Sequence, residues 1–161
     1  MWGQLTANER RARKALLDLI LTTGRGPSLK ALASRLEVSE SEAAELLSAL
    51  ERKGCLVRGQ RSNMIKAAYP LSTRPTQHCV ALNGTDQQCY ALCAIDALGV
   101  APLFGVPVTV STACQQCGRP ISIVLRPGGI VSCDPSTTAV YDSLPQPLTR
   151  RSVELNLAKV H

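Results

Sequence analysis

Residues 84–98 read Gly-Thr-Asp-Gln-Gln-Cys-Tyr-Ala-Leu-Cys-Ala-Ile-Asp-Ala-Leu, and the fold turns on how this stretch is read. Thr85 followed three residues later by Gln88 has the pattern of a capping box, and Gly99 and Pro102 supply stop signals. The sequence therefore predicts a helix. Tyr90, Ala91, Leu92, Ala94, Ile95, Ala97 and Leu98 leave it no polar face, which is the mark of a buried helix. On that helix Cys89, Cys93 and Asp96 are spaced i, i+4 and i+7, so they share one face. Burying an unpaired aspartate is costly. Two thiols beside it suggest what it is there for.

Upstream, the order is three helices and a hairpin. Residues 8–22 carry an apolar stripe behind the basic run Arg10-Arg11-Ala12-Arg13-Lys14, and Gly24-Arg25-Gly26-Pro27 breaks it. A second helix runs from Ser28 to Leu36. A third follows the capping box Ser39/Glu42 and ends at Gly54. Leu56–Arg58 and Met64–Ala68 read as a hairpin. This order predicts a winged-helix-like domain over 1–70. A linker over 71–77 and a core domain over 78–161 complete the organisation. The core is a helix on a small, mostly antiparallel sheet, so the fold class is α+β. Its strands are expected at 78–82, 106–112, 121–125, 130–133 and 138–141, with Cys114 to Pro120 as a tight turn.

Charge and composition narrow the functions. The net charge of +6 is concentrated in residues 1–70, which hold 12 Lys+Arg against 7 Asp+Glu. A basic half can serve nucleic acid. The third helix, however, opens with Glu40, Glu42 and Glu45, where a DNA-reading helix needs Lys and Arg. That weighs against DNA as a partner. No apolar run approaches the roughly 20 residues of a membrane span, and residues 1–11 do not read as a signal peptide. A cytoplasmic protein is expected. Seven cysteines in that setting point to thiol or metal chemistry before disulfides.

Tyr90-Ala91-Leu92-Cys93-Ala94-Ile95-Asp96-Ala97-Leu98, Val108-Thr109-Val110-Ser111-Thr112-Ala113-Cys114 and Gly118-Arg119-Pro120-Ile121-Ser122 together resemble the organomercurial (alkylmercury) lyase family. The resemblance runs from about residue 8 to 140 and is dense over 76–125. It also accounts for a helix-turn-helix-like module ahead of the core. It implies protonolysis of a carbon–mercury bond. Cys93 matches the thiol that captures mercury, Asp96 the acid that protonates the leaving carbon, and Cys114 a structural core cysteine. No resident cofactor is implied. The substrate is an organomercurial or a mercury ion, with hand-off to a thiol-bearing, mercury-reducing partner. The family's second mercury-binding cysteine comes from a C-terminal segment, and no cysteine follows Cys133 here. Cys89, one helical turn before Cys93, is the expected stand-in, followed by Cys133 and Cys117.

The chemistry agrees with the resemblance. Mercury is soft and prefers thiolate, and a thiol beside a carboxylate titrates with it as a coupled pair. Two rival readings remain. One is a metal-responsive DNA-binding regulator. The other is a structural zinc protein, with the knuckle Cys114-x-x-Cys117-Gly118 joined by Cys89 and Cys93. Cys55 and Cys79 read as small hydrophobes and Cys133 as either hydrophobe or ligand. His78 and His161 read as exposed. For Asp96 the purely structural alternative is a backbone amide or Arg126.

Overall fold

The computed structural model describes residues 4–59 and 64–140. Three capped helices come first. In α1 (Ala7–Thr23), Thr6 accepts the Glu9 N–H while the Glu9 carboxylate accepts the Thr6 N–H, closing a capping box. Ser28 caps α2 (Leu29–Leu36), and the Ser39/Glu42 box caps α3 (Glu40–Arg52). Each helix buries its apolar stripe, with Leu16 and Ile20 from α1, Leu32 and Leu36 from α2, and Leu47 and Leu50 from α3.

The rest is one antiparallel sheet and one helix. The strands are β1 (Leu56–Arg58), β2 (Ile65–Ala68), β3 (Leu71–Ser72), β4 (Cys79–Leu82), β5 (Gln88–Ala91), β6 (Val108–Ala113), β7 (Pro120–Arg126) and β8 (Gly129–Asp134). Their order is β1-β2-β3-β5-β4-β6-β7-β8, and every neighbouring pair is antiparallel. The hairpin expected as a wing is thus the first two strands of an eight-stranded sheet. Leu71–Ser72, in the stretch expected as a linker, forms the strand that joins the two halves, and Leu71 is completely buried.

Opposed residues on neighbouring strands point to the same face. Register therefore gathers Leu56, Ala68, Leu71 and Ala91 into one buried row, and Cys89, Val80, Val110, Ile123 and Cys133 into the next. Helix α4 (Ala94–Phe104) packs on β4 to β7, and α1 packs on β3 and β5, so helices and sheet share one continuous core.

The stretch expected as the central helix is divided. Its first half, Gln88–Ala91, is β5, and α4 starts at Ala94 rather than after Thr85. Thr85 does not cap a helix. Its hydroxyl bonds the Leu82 carbonyl and accepts the Gln87 N–H, shaping the β4–β5 turn. The helix also passes the expected stops at Gly99 and Pro102 and ends at Gly105, whose φ of 69° suits a residue without Cβ. Residues 138–140 form no strand, Thr138 being folded back onto the Pro135 carbonyl. Tyr141 and His161 lie outside the described residues. Among the described residues, no helix is long and apolar enough to cross a membrane.

Candidate active site

Cys93 is the N-cap of α4. Its backbone is extended (φ −149°, ψ 176°), and Sγ accepts the Asp96 N–H at 3.3 Å. The first helical turn carries Asp96 back over the cap, so Cys93 Sγ meets Asp96 Oδ2 at 3.2 Å, with the thiol donating. Both side chains are half-buried. The residues are sequence neighbours, yet the contact depends on the cap, which turns an extended residue and a helical one toward each other.

The electrostatics favour a thiol–carboxylate pair. Burial pushes the Cys93 thiol up to about 11. The Asp96 N–H and the Ile95 N–H oppose that rise, while the Asp96 charge and the S–H···O bond reinforce it. Burial also raises the Asp96 carboxyl above its ordinary range, and the bond from Cys93 moderates the rise. The proton therefore rests on sulfur, next to a carboxylate that is a better proton acceptor than one in water.

Tyr69 belongs to the same neighbourhood and was missed in the sequence. Burial, then the charges of Asp96 and Cys93, push its phenol up to about 12, so it keeps its proton at neutral pH. Its position follows from strand pairing: the Leu92 N–H donates to the Pro70 carbonyl as β3 pairs with β5. No local sequence signal marks such a residue. His78 was expected to be exposed and is only 6 % exposed. It sits opposite Ala91, with Nδ1 2.9 Å from the Thr112 hydroxyl, and burial lowers its pKa.

The other cysteines disperse. Cys89 is on β5, fully buried opposite Val80, and burial pushes its thiol up to about 12. Cys89 lies within β5, whereas Cys93 lies past the end of that strand at the head of α4, so the two are not one helical turn apart on a shared helix. Two sulfurs on one ion must lie within about 5 Å, twice a metal–sulfur bond. The helical turn that would set Cys89 beside Cys93 is absent, and Cys89 is enclosed in the core. Cys133 is on β8, four strands from β5 and so about 19 Å across the sheet from Cys89. Its thiol bonds the Pro135 carbonyl at 3.4 Å.

Cys114 and Cys117 stay together in the β6–β7 turn, Cys114 half-buried rather than in the core and Cys117 exposed. Among the described residues no three His, Cys, Asp or Glu side chains gather where they could hold a metal ion. The four-cysteine zinc arrangement is therefore absent among the described residues, with Cys89 enclosed inside β5. Arg126 is exposed at the end of β7, and the partner of Asp96 is the Cys93 thiol.

The fold is α+β, with three capped helices ahead of an antiparallel sheet and a Cys-x-x-Asp pair at the head of the helix packed on it, and sequence comparison gives its family. Residues 71–154 match the family model for alkylmercury lyase, so the chain belongs to that family. Residues 15–59 match the model for the IclR helix-turn-helix domain. An alkylmercury lyase of Streptomyces lividans is 28% identical over 127 residues, 79% of this chain and 55% of that protein. One from Pseudomonas putida is 29% identical over 120 residues, 74% of this chain and 53% of that protein. One from Bacillus cereus is 39% identical over 70 residues, 44% of this chain and 31% of that protein. The chain thus spans at most about half the length of these relatives. The crystal structure of the mercury-bound form of MerB2 superposes with a TM-score of 0.62 at 21% identity, over 80% of this chain and 62% of that one, which establishes a shared fold.

Proposed function

We propose that the protein binds an organomercurial cation through Cys93 and cleaves its carbon–mercury bond by protonolysis, with Asp96 as the acid. One observation carries the reading: Cys93 Sγ and Asp96 Oδ2 stand 3.2 Å apart at the head of α4.

The steps balance within this pair. As R–Hg⁺ meets Cys93, a sulfur–mercury bond forms and the thiol proton passes to the Asp96 carboxylate. Asp96 then donates that proton to the carbon of R as the carbon–mercury bond breaks. R–H leaves, Hg²⁺ remains on the Cys93 sulfur, and Asp96 is a carboxylate again. The raised pKa of Asp96 suits a group that must take a proton and give it up near neutral pH. The helix N-terminus supports the sulfur as it loses its proton. Ile95, 49 % exposed beside the pair, offers an apolar surface to the organic group. Mercury is the substrate here and the pair needs no resident metal. The released ion passes to a thiol-bearing, mercury-reducing partner.

The helix-turn-helix module serves the fold in this reading rather than DNA. The opening turns of α3 present Glu40, Glu42 and Glu45 to solvent, and these would repel phosphates.

The test is benzene release from phenylmercury. Wild type releases it. Asp96→Ala retains bound phenylmercury, but benzene release falls by about 100-fold or more, the usual contribution of a general acid. Cys93→Ser loses capture. Undiminished release by Asp96→Ala sinks the proposal.

A further inference from the structure

The Cys93–Asp96 pair leaves one thiol cluster without a task. Cys114 follows the last residue of β6, and Cys117 lies in the turn before β7. The Cys114 N–H donates to the Arg119 carbonyl at 2.9 Å, and the Gly118 N–H donates to the Cys114 carbonyl at 2.8 Å. Gly118 takes a φ of 71°, which lets the chain reverse at once. Within this closed loop the Gln116 and Cys117 N–H groups and the Cys117 thiol all point at Cys114 Sγ. The result is a preformed, solvent-accessible dithiol.

Its surroundings restrict what it can hold. Tetrahedral zinc needs four ligands, and among the described residues no third ligand joins the two sulfurs. Two converging thiolates alone satisfy a soft cation that accepts two-coordination, of which Hg²⁺ is the one this fold would handle.

Its location is equally specific. Register aligns His78 with Ala91 on one side and Thr112 on the other. Two residues after Ala91 and Thr112 come Cys93 and Cys114, both just past the ends of their strands. The chain therefore leaves β5 toward Cys93 and β6 toward Cys114 at the same end of the sheet, with only β4 between the two strands.

We propose that Cys114 and Cys117 form a second mercury site, a surface dithiol that takes Hg²⁺ from Cys93 after the carbon–mercury bond is broken. The exit role rests on the lyase reading, whereas the dithiol site does not. In the transfer, the Cys93 sulfur–mercury bond breaks and two new sulfur–mercury bonds form. Cys114 and Cys117 each give up a thiol proton, one of which returns to Cys93 while the other goes to solvent.

The probe is mercuric chloride, added to Cys93→Ser protein in excess competing monothiol and followed by gel filtration. The expected result is one retained mercury per chain. Adding Cys117→Ser lowers the affinity about 100-fold or more, because the second thiolate no longer acts intramolecularly. Cys117 is exposed, and a matching melting temperature shows that its variant folds. Equal retention by the single and double variants overturns the site. In wild type treated with phenylmercury, alkylation mapping then follows the ion. Protection of Cys114 and Cys117 after benzene release supports the exit role, and free alkylation of both overturns it. If no benzene forms while Cys93→Ser still retains mercury through Cys117, the lyase reading and the exit role fail and the dithiol site stands.

Discussion

At the scale of the residue, Cys93 is held under opposing influences. Two backbone N–H groups favour its thiolate, while burial and the Asp96 carboxylate favour the thiol, and the second set wins. Asp96→Asn removes the charge, so the Cys93 pKa is expected to fall below about 11, read from the pH dependence of iodoacetamide alkylation. An unchanged profile shows that the pair is not coupled. The closeness of Cys93 and Asp96 was legible because they lie three positions apart, although the structure brings them together through a helix cap rather than along one helix. Tyr69 was not, because it comes from a loop 24 positions before Cys93 and only strand pairing delivers it.

At the scale of the element, capping boxes were the most legible feature. Thr6 and Glu9 illustrate their energetics. The Lys53 ion pair first, then the bond from the Thr6 N–H, hold the Glu9 carboxyl below its ordinary range. A depressed carboxylate stabilises the fold above its unfolded pKa, near 4.5, and that contribution is lost as pH falls through the lower folded value. Thermal melts of Glu9→Gln are therefore expected to lose less stability than wild type over that acid interval. Thr6→Ala should cost about 1 kcal/mol at neutral pH, measured by urea unfolding. The same signal misled at Thr85. Thr85 with Gln88 has the form of a capping box, yet the apolar residues after it were claimed by pairing with β4 and β3. A short apolar run satisfies a buried strand as well as a buried helix. The real cap was a cysteine, outside the usual Ser, Thr, Asp and Asn.

At the scale of the whole molecule, the two-residue strand β3 decides the architecture. It is too short to show any periodicity, so the sequence suggested a linker where the structure has a seam. Through Leu71 the hairpin after α3 and the strands around the site become one sheet. Leu71→Ala is expected to cost about 2–5 kcal/mol. It should lower the midpoint of a single calorimetric transition spanning both halves; two separate transitions would show independent folding. The antiparallel strands β6 to β8 were legible from alternation, whereas β3 was read as linker and β5 as the start of a helix, so the sheet was taken to be smaller than it is.

Cys93 also closes the first turn of α4. A hydroxyl makes a better cap than a thiol, so Cys93→Ser should melt no lower than wild type by differential scanning fluorimetry. Under the proposed function, a sturdier joint at this corner is forgone for a reactive one. If Cys93 captures mercury as proposed, screening variants for heat resistance alone would drift toward inert molecules, because the replacement that best holds this corner lacks the thiol.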